Sequence, residues 1–282
     1  MLDFVYLDEY KKAYIMKEKL LPIFLSIIVL FTTSASVYAK DMDLTYDVYA
    51  GGFQAMEAKL SFSGAKKTYE IKFDAKTKGT IGKLFPWRGI YETEGTAGSK
   101  TTPRSSEAIS VWDGESKKVA MKYDRKGNII SRKINGKNEV IQNKNELSKD
   151  TVDMLTATLI MLQSVERKST CNGKVPVFDG KRRFNINFKE DGKVTLKPSK
   201  YSIFSGEAMR CVVTVEPVAG FKERDKKRGW LAVQEHSKSN KSLPTLFVAR
   251  RNSHEPYVPV RMEIKSSYGA VIAHLTSIHV KK

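Results

Sequence analysis

Lys174-Val-Pro-Val-Phe178, then Asp179-Gly180, then Lys181-Arg-Arg-Phe-Asn-Ile-Asn-Phe188 is the stretch that sets the fold class. Phe184, Ile186 and Phe188 alternate with Asn185 and Asn187, a period of two with one apolar and one polar face. That period belongs to a half-buried antiparallel strand, because successive side chains point to opposite faces of a sheet. Asp-Gly between two such runs is a strong short-range hairpin signal, since both residues tolerate positive φ. The stretch therefore predicts two strands joined directly at Asp179-Gly180.

The same pattern extends outward. Tyr69, Ile71, Phe73 and Ala75 alternate with Thr68, Glu70, Lys72, Asp74 and Lys76. Val119, Met121 and Tyr123 form another set, and Val258, Val260, Met262 and Ile264 a further one. Asp113-Gly114, Asn135-Gly136, Asn172-Gly173 and Asp191-Gly192 supply more turn chemistry; Asp113-Gly114 joins Glu107–Trp112 to Lys117–Tyr123. Many short strands with regular turns predict an all-β protein, an antiparallel meander curled into a sandwich, barrel or open roll. One helix interrupts it, about Thr151 to Val165, capped by Asp150 or Thr151, with Asp153 favouring its positive end. Val152, Leu155, Leu159 and Leu162 make an apolar stripe widened by Met154, Ile160 and Met161, so this central helix is expected to be buried against the sheet. It separates two strand-rich halves. Asn135 to Lys149 reads as an exposed connector and Lys222 to Arg228 as a solvated loop.

The N-terminus reads as an export signal. Lys17 and Lys19 precede an uncharged run from Leu20 to Phe31, and small residues follow, ending Val37-Tyr38-Ala39. A run of 12 residues is short for a membrane span, which needs about 20. Residues 16–39 are expected to be a signal peptide cut between Ala39 and Lys40. Residues 1–15 carry Asp3, Asp8 and Glu9, which signals avoid, and read as a gene-model extension ahead of Met16. The mature β-rich domain is then 40–282, and it keeps the whole formal charge of +18, because the charges of 1–39 cancel. Export implies an oxidising compartment, so Cys171 and Cys211, the only cysteines, are expected to form a disulfide. It also changes the meaning of the charge. The polyanions met outside the cytoplasm are lipid headgroups, lipopolysaccharide and wall polymers rather than nucleic acid.

The sequence holds no Gly-x-Ser-x-Gly elbow, no phosphate-binding Gly-x-x-x-x-Gly-Lys loop, no His-Glu-x-x-His and no Cys-x-x-Cys. No catalytic residue, metal site or cofactor is expected. His274 and His279 lie an odd number apart and face opposite sides of a regular strand, so only a bulge could bring them to one side. Phe85, Trp87, Trp112 and Trp230 are the candidate contact residues for a ligand or partner, Phe85-Pro-Trp-Arg-Gly89 being an unusually apolar connection between strands.

Several segments resemble a family of exported bacterial proteins grouped as domain of unknown function 3108. They are Leu44-Thr-Tyr-Asp-Val-Tyr-Ala-Gly-Gly-Phe53, the Tyr69 strand with Gly79 to Gly82 and Gly89, Asp153-Met-Leu-Thr on the helix, Phe247-Val-Ala-Arg, Val258-Pro-Val-Arg-Met262, and Ser267-Tyr-Gly-Ala270. The likeness spans nearly all of 41–280 and does not include the cysteines. It implies a periplasmic, curved or spiral sheet similar to that of periplasmic lipoprotein carriers, and it carries over no catalytic residue. The expected function is a noncatalytic protein of the Gram-negative periplasm. It would hold a lipid, an acylated protein or an envelope partner on a curved sheet, with transient contact at a membrane surface. The rivals are a scaffold that binds only protein and, less favoured, an envelope hydrolase.

Overall fold

The structure, a computed structural model, describes residues 41–65, 67–226, 231–232, 234–235, 242–266 and 269–281. The expected signal peptide, its expected cut between Ala39 and Lys40, the expected extension 1–15 and Trp230 lie outside the described residues.

Among the described residues, fourteen strands form one antiparallel sheet. The first eight are β1 (Met42–Ala50), β2 (Phe53–Ser63), β3 (Thr68–Thr77), β4 (Trp87–Thr96), β5 (Thr102–Trp112), β6 (Glu115–Tyr123), β7 (Ile129–Ile134) and β8 (Lys137–Asn138). The others are β9 (Gly173–Phe178), β10 (Arg183–Leu196), β11 (Gly206–Ala219), β12 (Thr245–Ala249), β13 (Val258–Ser266) and β14 (Gly269–Val280). Each half is a meander, β1 to β8 and β9 to β14, and β1 pairs with β14 along nearly their whole length to make the two halves one sheet. Helical segments stand between the strands, among them α1 (Gly79–Leu84), α2 (Lys144–Ser148), α3 (Met154–Lys168) and the short α4 (Glu223–Lys226), and the described residues 231–232 and 234–235 are helical as well.

The sheet is not closed. Its outer strands are β8 and β9, and no ladder joins them. Their neighbourhoods nevertheless meet. Arg132 on β7 donates through Nη1 to Gly180 O at 2.6 Å and through Nη2 to Val140 O at 2.7 Å. Arg183 Nη1 donates to Glu146 O at 2.8 Å. Phe178 of β9 is fully buried among Met121, Tyr123 and Ile129 from β6 and β7, with Ile141 and Leu147 against them. Residues just before α3 cover the free side of β9, where Val152 N donates to Pro176 O and Phe178 N donates to Val152 O, both at 3.0 Å. Pro176 has no N–H on that outer side, and a proline is tolerated at such an edge for this reason. The sheet thus curls until its ends are sealed by side chains and a short segment.

α3 lies on the concave face. Ala157, Leu159, Leu162 and Val165 pack against Leu44, Leu60, Ile71, Val177, Phe188, Val248 and Leu275 in the main core. Each fully buried side chain of this size contributes about 1.5–3 kcal/mol through removal from water.

Several expectations change in detail. The helix begins three residues later than the pattern suggested, at Met154, and its cap is Asp153, not Asp150 or Thr151. Val152 forms a parallel bridge with Val177 of β9 instead. The β9–β10 hairpin has a four-residue connection, 179–182, because Asp179 Oδ1 accepts from both Lys181 N and Arg182 N and so draws those residues into the turn. Asp191-Gly192 is not a turn. It is a bulge inside the continuous strand β10, where the register with β11 shifts between Glu190 and Lys193. The connector 135–149 contains β8 and α2, and α4 occupies part of the Lys222–Arg228 stretch.

Candidate functional site

The expected disulfide is present. Cys171, just after α3, is bonded to Cys211 of β11 with their Cα atoms 6.2 Å apart. It ties the helix exit to the second half of the sheet, and both residues are buried.

At the other end of α3 a buried polar cluster sets the helix on the sheet. Asp153 Oδ1 accepts from Leu155 N and Thr156 N at 3.0 Å, an N-cap that satisfies two of the helix's free donors. Its Oδ2 accepts from Thr156 Oγ1 at 2.6 Å and Thr93 Oγ1 at 3.0 Å. Tyr69 Oη and Thr156 Oγ1 are 2.7 Å apart. Burial pushes the Asp153 carboxyl above its ordinary value, and the bonds from Thr156 and Thr93 oppose that shift. Burial also raises the Tyr69 phenol, with the Asp153 charge acting in the same direction. The Asp153 carboxylate has four donors and no exposed side, so it positions the helix and offers no oxygen to a substrate.

A cleft of about 450 Å³ opens where α3 parts from β9. Its apolar lining is Val152, Ile160, Met161, Val175, Pro176 and Phe188. Lys100, Arg167, Lys168 and Lys174 surround it, with Asp150. The wall opposite β9 is the β4–β5 connection, held to α3 by Thr101 Oγ1 donating to buried Gln163 Oε1 at 2.6 Å and by Arg167 Nη2 donating to Gly98 O at 3.2 Å. The disulfide residue Cys171 forms part of its floor. None of this was visible in the sequence, because the lining comes from three separate segments.

The candidate contact residues divide. Trp87 and Trp112 sit directly opposite each other on β4 and β5. Trp87 is half-buried and its indole N–H donates to Ser110 Oγ at 3.2 Å, whereas Trp112 and Phe85 are exposed. All three lie at the opposite end of the strands from the β4–β5 connection that walls the cleft. His274 and His279 do come to one face, paired with Asp47 and Asp43 of β1, because β14 bulges where Thr45 and Tyr46 shift register. They are four β1 residues apart, about 13 Å, so they share no ligand. His274 packs beside Tyr49 and Tyr201, and burial, then Arg261, lowers its pKa. Among the described residues no group of three or more His, Cys, Asp or Glu could hold a metal ion, and no helix is long and apolar enough to cross a membrane.

A solved structure from Brucella abortus, a β-barrel-like protein of domain of unknown function DUF1849, is similar at 10% identity and a TM-score of 0.48, covering 87% of this chain and all of that one. No curated protein matches the chain. Both that structure's domain and the matching family are described as of unknown function. The family described as protein of unknown function (DUF3108) matches residues 45–276, most of the chain, and the protein belongs to that family.

Proposed function

We propose that this is a noncatalytic, exported protein of the Gram-negative periplasm that holds the acyl portion of an anionic lipid or acylated protein. The observation that carries the reading is the cleft beside α3, apolar within and ringed by Lys100, Arg167, Lys168 and Lys174. Its volume falls in the range of about 300–1,000 Å³ common to small-molecule sites. An apolar floor removes a hydrocarbon chain from water, while the basic surround favours a phosphate or carboxylate head at the entrance. α3 fills the concave face that it covers, so the ligand sits beside the helix rather than beneath it.

Dansyl-labelled palmitate tests this. The wild-type chain should bind it with a blue-shifted emission, and Ile160→Glu, which puts a charge on the cleft wall, should weaken binding at least tenfold. Native mass spectrometry of the purified chain should show a lipid-sized adduct that the variant lacks. Absence of probe binding, or equal binding by Ile160→Glu with its melting curve unchanged, would sink the proposal.

A further inference from the structure

The end of the sheet opposite the cleft carries a second feature. The β1–β2, β3–β4 and β5–β6 connections all lie at this end, since consecutive antiparallel strands turn at alternate ends. Two of the three are two-residue turns; the β3–β4 connection spends nine residues, 78–86, and contains α1. No residue of α1 is buried. The connection therefore adds little to the core, yet it is firmly built. Thr77 Oγ1 accepts from Trp87 N at 2.9 Å and donates toward Phe85 O at 2.9 Å. Lys78 N donates to Ala55 O, and Asp113 N donates to Pro86 O, fixing the connection to both neighbouring turns. Gly82 approaches the Thr77 carbonyl so closely that an added Cβ would lie 2.9 Å from its oxygen.

What this scaffold displays is apolar. Phe53 is 76% exposed, Leu84 66%, Trp112 54%, Phe85 53% and Ile81 36%. Single exposed apolar side chains need no explanation, but five large ones on or beside three adjoining connections at one end of the sheet gather apolar surface of the kind that marks contact sites. Around α1 stand Lys76 and Lys78, both paired with Glu57, Arg88, paired with Asp74, and Lys83; the β5–β6 turn adds Asp113, Glu115 and Lys117, so five cations stand against four anions on the rim. The whole chain carries +18.

We propose that this rim is a docking surface for a lipid bilayer that carries anionic headgroups. Trp and Phe suit the boundary between hydrocarbon and headgroups, and lysines extend their charge toward the phosphates while their stems lie along the apolar surface. Binding of this kind grows with the apolar area inserted and with attraction between cations and anionic lipid. The rim and the cleft lie at opposite ends of the strands, so the two proposals stand or fall separately.

Flotation with phosphatidylethanolamine vesicles containing 30% phosphatidylglycerol tests the rim. The wild-type chain should float with them at 0.15 M salt and do so at least fivefold less with phosphatidylcholine vesicles. Leu84→Glu/Phe85→Glu should reduce flotation at least tenfold while leaving the melting temperature and dansyl-palmitate binding unchanged. Lys83→Glu should weaken it more at low salt than at high salt. Failure of the wild-type chain to float, or equal flotation of the double variant, overturns the proposal. So does a double variant that loses only the capture of an envelope protein, which would assign the rim to a protein partner.

Discussion

Asp153 holds two jobs that pull in different directions. As a cap it is best charged, because the helix N-terminus and two hydroxyls all donate to it. As a buried group it is best neutral, and burial raises its pKa. A carboxyl whose folded pKa is raised contributes stability that is full below its ordinary value of about 4 and is lost as pH rises through the folded value. Asp153→Asn removes this titration and keeps one cap acceptor. Urea unfolding from pH 4 to pH 8 should therefore show the Asn variant gaining on the wild type as pH rises. A constant difference across that range would show that the four donors cancel the cost of burial. Neither Tyr69 nor Thr93 could be assigned to this cluster from the sequence. The pairs Tyr69–Thr156 and Thr93–Asp153 are 87 and 60 residues apart, and only the curl of the sheet brings them together.

Among elements, the turns show how far local chemistry reaches. Asp113-Gly114 and Asn135-Gly136 are two-residue turns with positive φ at both positions, as their residue types require. Asp191-Gly192 has the same types and becomes a bulge, because β10 continues to pair with β11 on both sides of it and that pairing outweighs the local preference. Gly180 has a further role at the seam. Its φ is +90°, and an added Cβ would lie 2.5 Å from Val119 Cγ1 on β6. Gly180→Ala should cost about 1–3 kcal/mol in chemical denaturation from backbone strain alone, with the clash added to it. Adding Val119→Ala should recover the clash and leave the strain. A neutral Gly180→Ala would mean that the sheet's two ends do not meet as described. A similar economy operates on β11, where the side-chain amide of Gln234 donates to Val215 O and accepts from Val215 N, standing in for a neighbouring strand.

For the whole molecule, the disulfide is the covalent tie between the helix exit and the second half of the sheet. It joins residues 40 positions apart. On the chain-entropy estimate a loop of that length stabilises by about 4 kcal/mol. Cys171→Ser/Cys211→Ser should lower the unfolding free energy by roughly that amount, and a loss below about 1 kcal/mol would show that the α3 core already restrains the chain. The fold class and the central helix were legible in period and turn chemistry, since each is encoded within a few neighbouring residues. The cleft was not, because Lys100, Ile160 and Val175 converge only after β9 is set beside α3.

The pairing of β1 with β14 has a consequence in time. Tyr46 of β1 donates its hydroxyl to Pro259 O, and Thr276 of β14 donates to Thr45 O, contacts that span 213 and 231 residues. Every other ladder in the sheet joins strands that follow one another along the chain. Hairpins from residues 42–138 and from 173 onward can therefore form as the chain becomes available, but the middle of the sheet is the last part to be laid down. Contacts of such separation fold slowly. Until the final twelve-residue strand arrives, the inner side of β1 is a bare edge, and a chain interrupted before it carries its most adhesive surface at its centre.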